Sequence, residues 1–280
     1  MDRIAVLGAG ELGGLLAHAL ARRTLAHDIF LIDESARIAE GKALDIMQAA
    51  PVEVFSSTVT GSADTTLIGA AAVIVIADGI GKGEWEGEPA LALLKRIREL
   101  TPKSLIVCAG ASQRELVERG VRELHIPRTA LIGSAPEALV YGVRAVVASE
   151  LRASPRDVAV SALGVPPAHV VVAWEDATIA GFALNRVLNE PARRHIETAI
   201  DRLWPPGPYA LAAAAAKVID TMLGRSERVV TCFVAPDDGF GRRARAAALP
   251  VRLNRAGLMD VVLPELNGRD RVRLDNAILL

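Results

Sequence analysis

The sequence predicts an α/β fold in which a doubly wound parallel sheet is followed by a second, α+β part. Short apolar runs without polar alternation recur through the first half, and helical stretches separate them. Such runs are typical of strands buried on both faces, and strand–helix alternation is typical of right-handed βαβ crossovers. After about Gly133, long helices are followed by strands that succeed one another directly.

Composition excludes several classes of protein. With 51% hydrophobic residues in 280, the chain buries enough apolar surface to offset the entropy lost on ordering, so disorder is excluded. The 23 glycines follow no period and there are two cysteines, which excludes a collagen-like or disulfide framework. A formal net charge of −1 argues against bulk attraction to nucleic acid or an anionic membrane. Cys108 and Cys232 form no CxxC, so we expect reduced thiols, a cytoplasmic protein and no metal site.

The first half contains five predicted strands and three predicted helices. The apolar stretch 4–20 is interrupted by Glu11, His18 and four glycines and has no basic segment before it. It is therefore interpreted as a buried strand and helix rather than a signal peptide or membrane span. The predicted strands are 3–7, 29–32, 71–77, 105–108 and 130–132, and the predicted helices are 12–23, 35–48 and 90–100.

The second half is predicted to form a separate α+β domain. We expect residues 1–133 to form one domain and residues 134–280 the other. A run of prolines from Pro205 stops the second long helix of this half. The basic cluster Arg242, Arg243 and Arg245 is interpreted as a solvated loop. The predicted helices are 137–151, 185–203 and 210–223, and the predicted strands are 158–163, 169–174, 229–234, 249–253 and 261–263.

A glycine motif follows the first predicted strand and opens the first predicted helix. Residues 8–13 read GAGELG, with Gly8, Gly10 and Gly13 at the spacing GxGxxG. The first glycine permits a tight turn, the second lets the backbone approach a pyrophosphate, and the third lets helix pack on strand. Free N–H groups and the positive end of the helix dipole then face the phosphates. The alternative, a glycine-rich turn without a ligand, is weakened because strand, loop and helix come in the required order.

An acidic residue stands where a dinucleotide-binding unit of the Rossmann type requires one. Asp33 ends the second predicted strand, 20 residues after Gly13. Its carboxylate can accept hydrogen bonds from both ribose hydroxyls, each worth roughly 1.5–3 kcal/mol. Glu34 follows directly, and two acids would repel a 2′-phosphate. The sequence therefore favours NAD over NADP.

Further stretches resemble the lactate/malate dehydrogenase family across essentially the whole chain. Residues 39–51 (AEGKALDIMQAAP) resemble the helix after that family's second strand. Thr60-Gly61 and the segment 77–80 (ADGI) resemble its third and fourth strand ends. Residues 249–258 (LPVRLNRAGL) resemble its late β-hairpin, and 263–267 (LPELN) the stretch after it. The chain is somewhat short for the family.

The resemblance implies a Rossmann domain, a C-terminal lactate/malate dehydrogenase-like domain, and hydride transfer between NAD and a 2-hydroxy acid. It also implies a homo-oligomer, a dimer or tetramer, paired through the helix 39–50. The apolar Ala43, Leu44 and Met47 fit such an interface, although a core face gives the same pattern. The cofactor-binding residues that follow from the motif and the resemblance are Gly8, Gly10, Glu11, Leu12, Gly13, Asp33, Ala77, Asp78 and Gly79.

The family's catalytic residues are substituted when its pattern is placed on this sequence. The proton-carrying histidine normally lies in a turn after Leu163-Gly164, and the register places Pro166 there. Leu139 replaces the aspartate that orients the histidine, and Gly142 replaces a substrate-binding arginine. Proline has no titratable group, so the family's proton relay is not expected to operate.

The remaining substrate-binding positions are altered as well. The loop 81–89 (GKGEWEGEP) normally brings two arginines, but here Lys82 lies near the first position and nothing basic replaces the second. One lysine against three glutamates would repel a dicarboxylate. Cys108-Ala109-Gly110 occupies the turn that normally holds an asparagine. Trp85 caps a ligand or packs on a partner subunit.

Three functional hypotheses follow. The first is an NAD(H)-binding homologue that is impaired or altered in 2-hydroxy acid oxidation. The second is an active NAD-dependent oxidoreductase that acts on a different substrate, with Lys82 and His169 as weak candidates for relocated catalytic groups. The third is a structural protein with a vestigial pocket. Glu137 and Tyr141, four residues apart on one helix, form either a new polar site or a surface pair.

Overall fold

The computed structural model describes residues 3–235 and 245–279, so Arg242 and Arg243 lie outside the described residues. Six parallel strands form the first half of the central sheet in the order β3-β2-β1-β4-β7-β8. They are β1 (Arg3–Leu7), β2 (Asp28–Ile32), β3 (Thr58–Ser62), β4 (Val73–Ile76), β7 (Leu105–Cys108) and β8 (Leu131–Gly133). The fully buried runs VIVI and LIVC form β4 and β7, as expected for strands covered on both faces.

Helices connect these strands. They are α1 (Glu11–Arg22), α2 (Ala36–Glu53), α3 (Gly87–Leu100) and α4 (Arg114–Arg122), with a 3₁₀ helix at Thr65–Ala70. A short hairpin, β5 (Asp78–Gly79) paired with β6 (Gly83–Glu84), stands between β4 and α3. Because the strands are parallel, their carboxyl ends share one edge of the sheet, and the loops that begin there lie together.

The second half contributes helices and antiparallel strands. The helices are α5 (Ala135–Glu150), α6 (Glu190–Ile200), α7 (Pro208–Met222) and α8 (Gly268–Leu279), with 3₁₀ helices at Pro155–Asp157 and Leu184–Arg186. The strands are β9 (Val158–Ala159), β10 (Ala162–Val165), β11 (His169–Val172), β12 (Thr178–Ile179), β13 (Phe182–Ala183), β14 (Val230–Val234), β15 (Ala247–Asn254) and β16 (Gly257–Val261).

The central sheet continues from the first half into the second. Strand β14 pairs antiparallel with β8 through Phe233 and Gly133, and β15, β10 and β11 follow it outward. β16 pairs with β15 on the same sheet, while β9, β12 and β13 form a small separate sheet. The large buried core covers both faces of the long sheet, and a second cluster lies between α5, α6 and the strands of the second half. The predicted α/β fold with an α+β second part is confirmed.

Several predicted elements differ in extent. The predicted strand 158–163 is two strands, β9 and β10, which belong to different sheets. The predicted helix 185–203 begins only at Glu190, where Asn189 accepts a hydrogen bond from Ala192 N–H and Pro191 occupies the first turn. The predicted strand 261–263 is wrong, because the strand there is β16, Gly257–Val261. No helix among the described residues is both long enough and apolar enough to cross a membrane.

The helix proposed for subunit pairing divides its apolar residues between core and surface. Ala43 is buried and Met47 packs against the core. For these two residues the structure therefore supports the alternative that the apolar pattern allowed, a face packed on the core. Leu44 is 60% exposed. Val52 and Val54, at the end of α2, are exposed as well.

Candidate nucleotide-binding site

The glycine motif forms the connection between β1 and α1, as its spacing predicts. Gly8 has φ +102°, and a Cβ there would lie 2.3 Å from the carbonyl oxygen of Asp78. A Cβ on Gly13 would lie 1.9 Å from the carbonyl oxygen of Gly8. Close approach of backbone to backbone therefore requires glycine at both positions. The amino end of α1 faces the carboxyl edge of the sheet, with Glu11 in its first turn.

Asp33 is held in place by backbone donors. Its carboxylate accepts hydrogen bonds from the N–H groups of Ala9 at 2.9 Å, Ser35 at 2.9 Å and Ile80 at 3.2 Å. Partial burial opposes ionisation, but these three bonds and the charge of Lys82 keep the pKa of Asp33 below its ordinary value. The ionised side chain is a fixed acceptor at the carboxyl end of β2, the position predicted for ribose recognition.

A cavity of about 400 Å³ opens beside Asp33. This volume lies in the range of small-molecule sites. Its wall is mostly apolar, and its polar side chains are those of Asp33, Glu34, Thr65, Lys82 and Arg96. It is lined by Leu7, Gly8, Ile32, Asp33, Glu34, Ala63, Thr65, Ile68, Gly79, Lys82, Trp85, Pro89, Ala92, Leu93, Arg96 and Ile97. An apolar slot that ends at an ionised acceptor matches the chemistry of an adenine ring joined to a ribose.

Trp85 is part of this cavity wall. Its indole Nε1 is buried and has no hydrogen-bond partner within 3–235 or 245–279. A buried donor without a partner is costly. Because Nε1 is buried rather than open to the cavity, it favours neither of the two alternatives for Trp85, and the contribution of Trp85 to the cavity is its ring.

The side chain of Asp78 caps the amino end of α1. Its Oδ1 accepts the N–H of Gly13 at 2.8 Å, and its Oδ2 accepts the N–H of Leu12 at 3.2 Å. A Cβ on Gly10 would lie 2.3 Å from Oδ2. Sequence reasoning assigns Leu12, Gly13 and Asp78 to cofactor binding, and the structure brings these three together. The carboxylate of Asp78 accepts hydrogen bonds from N–H groups at the amino end of α1, where such a motif binds phosphate.

The hairpin that carries Asp78 makes further polar contacts through Glu84 and Lys82. Glu84 accepts hydrogen bonds from the N–H groups of Ala111 at 2.9 Å and Ser112 at 2.8 Å, just after β7. Lys82, a weak catalytic candidate, forms an ion pair with Glu34, 2.5 Å between Nζ and Oε2. Its hydrogen bond to Glu34 raises the pKa of Lys82. Sequence reasoning interpreted Glu84 only as a loop charge, because nothing in the local pattern shows which backbone groups it reaches.

Lys42 is a second residue that sequence reasoning missed. Its Nζ donates to the carbonyl oxygen of Gly10 at 2.6 Å, from α2 across to the glycine loop. A cation at this point lies next to the place where the motif would hold a phosphate. The sequence signal for Lys42 is its position within residues 39–51, which resemble the family's helix after the second strand.

The positions at which the sequence register expects the family's catalytic residues carry no polar side chains. Leu139 is buried in the core cluster of α5. A Cβ on Gly142 would lie 3.1 Å from Leu203 Cδ1, which leaves little room there for a larger side chain. Pro166 is buried in the turn between β10 and β11. His169, the other catalytic candidate, is exposed at the start of β11.

Glu137 is the buried ionisable group nearest these positions in the chain. It lies in the first turn of α5, is 4% exposed, and accepts the N–H of Thr231 at 2.7 Å. Burial raises the pKa of Glu137, although the bond from Thr231 and the charges of Arg144 and Lys217 act in the opposite direction. Tyr141 is 39% exposed, with the Arg144 guanidinium 4.8 Å from its ring centroid. The surface-pair interpretation of Glu137 and Tyr141 is therefore wrong.

These features define an α/β protein with a Rossmann-type nucleotide-binding unit. Residues 2–103 match the model of the lactate/malate dehydrogenase NAD-binding domain. The malate dehydrogenase of Dehalococcoides mccartyi strain CBDB1 is 26% identical over 292 residues, which covers 98% of this chain and 95% of the relative. That of Chlorobium phaeobacteroides strain BS1 is 25% identical over 303 residues, covering 99% and 96%.

Solved structures share the fold. Malate dehydrogenase from Salinibacter ruber superposes with a TM-score of 0.87 at 23% identity, over 98% of this chain and 93% of that one. The lactate dehydrogenase of Cryptosporidium parvum, in complex with lactic acid and NAD, gives 0.85 at 21% identity, over 99% and 94%. The chain is thus similar to malate dehydrogenases over almost its whole length, and its residues 2–103 are similar to the NAD-binding domain of the lactate/malate dehydrogenases.

Proposed function

We propose that the chain binds NAD(H) in the groove formed by the glycine loop, Asp33 and the adjoining cavity, and is impaired in 2-hydroxy acid oxidation. Gly8, Gly10, Glu11, Leu12, Gly13, Ala77 and Gly79 border the dinucleotide in this proposal. The adenosine end fits: the cavity is mostly apolar, Asp33 is an ionised acceptor, and the Trp85 ring forms part of the wall. The domains proposed are 1–133 for cofactor binding and 134–280 for the former substrate site.

The impairment rests on one observation: none of the three aligned positions carries a polar or ionisable side chain, and two of them are buried. Leu139 and Pro166 are buried and Gly142 packs closely on Leu203, so these positions offer no proton carrier and no anion clamp. General acid–base catalysis contributes about 10²–10⁴-fold to rates. Bound NAD(H) would supply the hydride, but the proton that must move with it has no carrier at the family's position.

An active oxidoreductase with an altered substrate is the second candidate. Glu137 favours it, because a buried carboxyl with a raised pKa is a common feature of catalytic sites. Its place in the first turn of α5, just after β8, is at the carboxyl edge of the sheet. In this alternative Glu137 handles the proton in place of the missing histidine.

Two measurements test the proposal. Titration of the protein with NADH, followed by fluorescence, is expected to saturate. An absorbance assay with a panel of 2-keto acids is expected to show no turnover above that of buffer. Turnover that disappears in Glu137→Gln but persists in Glu227→Gln, the same change at an exposed glutamate between α7 and β14, would establish the second candidate instead. Absence of binding of both NADH and adenosine would leave only the structural protein with a vestigial pocket.

We also propose a homo-oligomer paired through α2. Leu44, Val52 and Val54 are 60%, 84% and 87% exposed, so α2 and its end present apolar side chains that a second copy of the chain would cover. Light scattering is expected to give a mass above that of one chain, and Leu44→Glu is expected to lower it. A monomer at all concentrations would contradict this part of the proposal.

A further inference from the structure

The hairpin formed by β5 and β6 reaches several groups that a dinucleotide would use. Its first strand carries Asp78 to the amino end of α1, and its second strand carries Glu84 to the turn after β7. We propose that this hairpin, residues 78–84, is an internal plug of the cofactor groove, so that NAD(H) binds only after Asp78 leaves the phosphate position. The inference deepens the proposed function and rests on it.

The contact of Asp78 is incompatible with a phosphate in the same place. The amino end of a helix binds an anion through free N–H groups and the positive end of its dipole. Asp78 takes two of these groups, those of Leu12 and Gly13, with its two carboxylate oxygens. The second glycine of the motif normally leaves room for pyrophosphate, but at Gly10 that room is taken by Asp78 Oδ2. A phosphate would meet both a filled site and a like charge.

Glu84 holds the other end of the hairpin in the same way. Its carboxylate receives the N–H groups of Ala111 and Ser112 and the hydroxyl of Ser112. A Cβ on Gly110 would lie 2.3 Å from Glu84 Oε2, so the side chain fits closely against this turn. The turn follows β7 at the carboxyl edge of the sheet, where α4 begins nearby. Each strand of the hairpin is therefore anchored by an acid on backbone donors.

The hairpin also engages the acids at the ribose position. Ile80 donates its backbone N–H to Asp33, and Lys82 pairs with Glu34. These contacts are weaker obstacles, because Lys82 and Glu34 are largely exposed and Asp33 keeps acceptor capacity for a ribose hydroxyl. Adenosine, which lacks phosphate, can therefore enter the cavity while Asp78 stays in place. NADH cannot.

This difference between ligands makes the plug measurable. When only a fraction of the molecules has the binding-competent arrangement, the apparent dissociation constant rises by the inverse of that fraction. Removing the Asp78 carboxylate should therefore strengthen binding of NADH but not of adenosine. The same change removes two hydrogen bonds from the ligand-free protein and should lower its melting temperature. A residue with a merely structural role would lower stability without strengthening cofactor binding.

The experiment is calorimetric titration with NADH and with adenosine, together with thermal unfolding of the ligand-free protein. Asp78→Ala is expected to bind NADH about tenfold more tightly than wild type or better, with adenosine changed by less than about twofold. Asp78→Ser removes the carboxylate but keeps a short polar side chain, and so serves if the alanine variant folds poorly. Asn189→Ala, which removes a helix cap far along the chain at α6, is the matched control and should leave both affinities unchanged.

The outcomes separate the plug from the proposed function. Equal NADH affinity in wild type and both Asp78 variants, with adenosine still bound, would overturn the plug and leave the cofactor site standing. A parallel gain for NADH and adenosine would also overturn it, because the phosphates would then not be the obstacle. Failure of every variant to bind either ligand would overturn the proposed function and the plug with it.

Discussion

The Oδ1 atom of Asp78 lies 2.8 Å from the backbone nitrogen of Gly13. This contact joins the segment after β4 to the first turn of α1 and fills the position where a Rossmann-type motif receives phosphate. The chain thus supplies an anion of its own to the amino end of that helix. The predictions below concern the energy of this contact, the glycines around it, the ribose-binding acid and the buried Glu137.

Asp78 is predicted to stabilise the ligand-free protein as a helix cap supplied from another segment. Asp78→Ala leaves two N–H groups of α1 without their acceptor, and we expect the free energy of unfolding to fall by about 1 kcal/mol. Urea unfolding measures this. Asn189→Ala, which removes a cap of ordinary type from α6, should cost a similar amount. No loss of stability in Asp78→Ala would show that the contact is not formed in solution.

Gly10 and Gly13 are predicted to respond differently to alanine. A Cβ on Gly10 meets only the end of the Asp78 side chain, so Gly10→Ala should cost about 1–2 kcal/mol, and much less once Asp78 is already alanine. A Cβ on Gly13 meets the carbonyl oxygen of Gly8, which is backbone. Gly13→Ala should therefore cost about 3 kcal/mol in either background. Unfolding of wild type, the three single variants and the two double variants with Asp78→Ala completes both cycles, and strict additivity of Gly10→Ala with Asp78→Ala would contradict the geometry.

Asp33 is predicted to be necessary for binding the adenosine end of the ligand. Asp33→Asn removes an ionised acceptor, and hydrogen bonds to charged groups contribute roughly 1.5–3 kcal/mol, so NADH and adenosine should both bind at least about tenfold more weakly. Titration by calorimetry checks this. Asp28→Asn, at the other end of β2, is the matched control and should have no effect. Undiminished adenosine binding in Asp33→Asn would place the ligand elsewhere.

Glu137 is predicted to make the protein less stable as pH rises. Burial raises its pKa in the folded state above the ordinary value of 4.5, so the folded protein holds this proton more tightly than the unfolded chain. The contribution to stability is fully present below the ordinary pKa and is lost as pH rises through the raised one. Glu137→Gln, which can keep the bond from Thr231, should match wild type at low pH and exceed it at neutral pH. A neutral-pH loss in Glu137→Gln would show that the charges of Arg144 and Lys217 dominate instead.

Much of the fold could be predicted because the buried strands are recognisable from their own residues, which form continuous apolar runs. Each of β1, β4 and β7 is an apolar run covered on both faces. The edge strand β3, TVTGS, was seen only through the family resemblance, because its exposed side is polar. The helices α4 and α8 were missed, since RELVERGVR and GRDRVRLDNAIL are rich in charge and show little of their buried side.

The candidate site could be predicted only where its signal is local. Spacing alone identified the glycine loop and Asp33. The contact between Asp78 and Leu12 joins residues 66 positions apart, and it depends on how the hairpin turns after β4. No periodicity or composition fixes that turn. Asp78 lies in a segment that resembles the family's cofactor-binding segment, and the sequence therefore assigns it to cofactor binding. In the structure its side chain lies where the phosphates would bind.

Hydrogen exchange at the amides of Leu12 and Gly13 tests the central claim most directly, because it needs no ligand. If Asp78 caps α1 in the free protein, these two amides are protected in wild type and exchange about tenfold faster or more in Asp78→Ala, while amides in the middle of α1 change less. Exchange at Leu12 and Gly13 that is equally fast in both proteins would contradict the claim that the chain fills its own phosphate site.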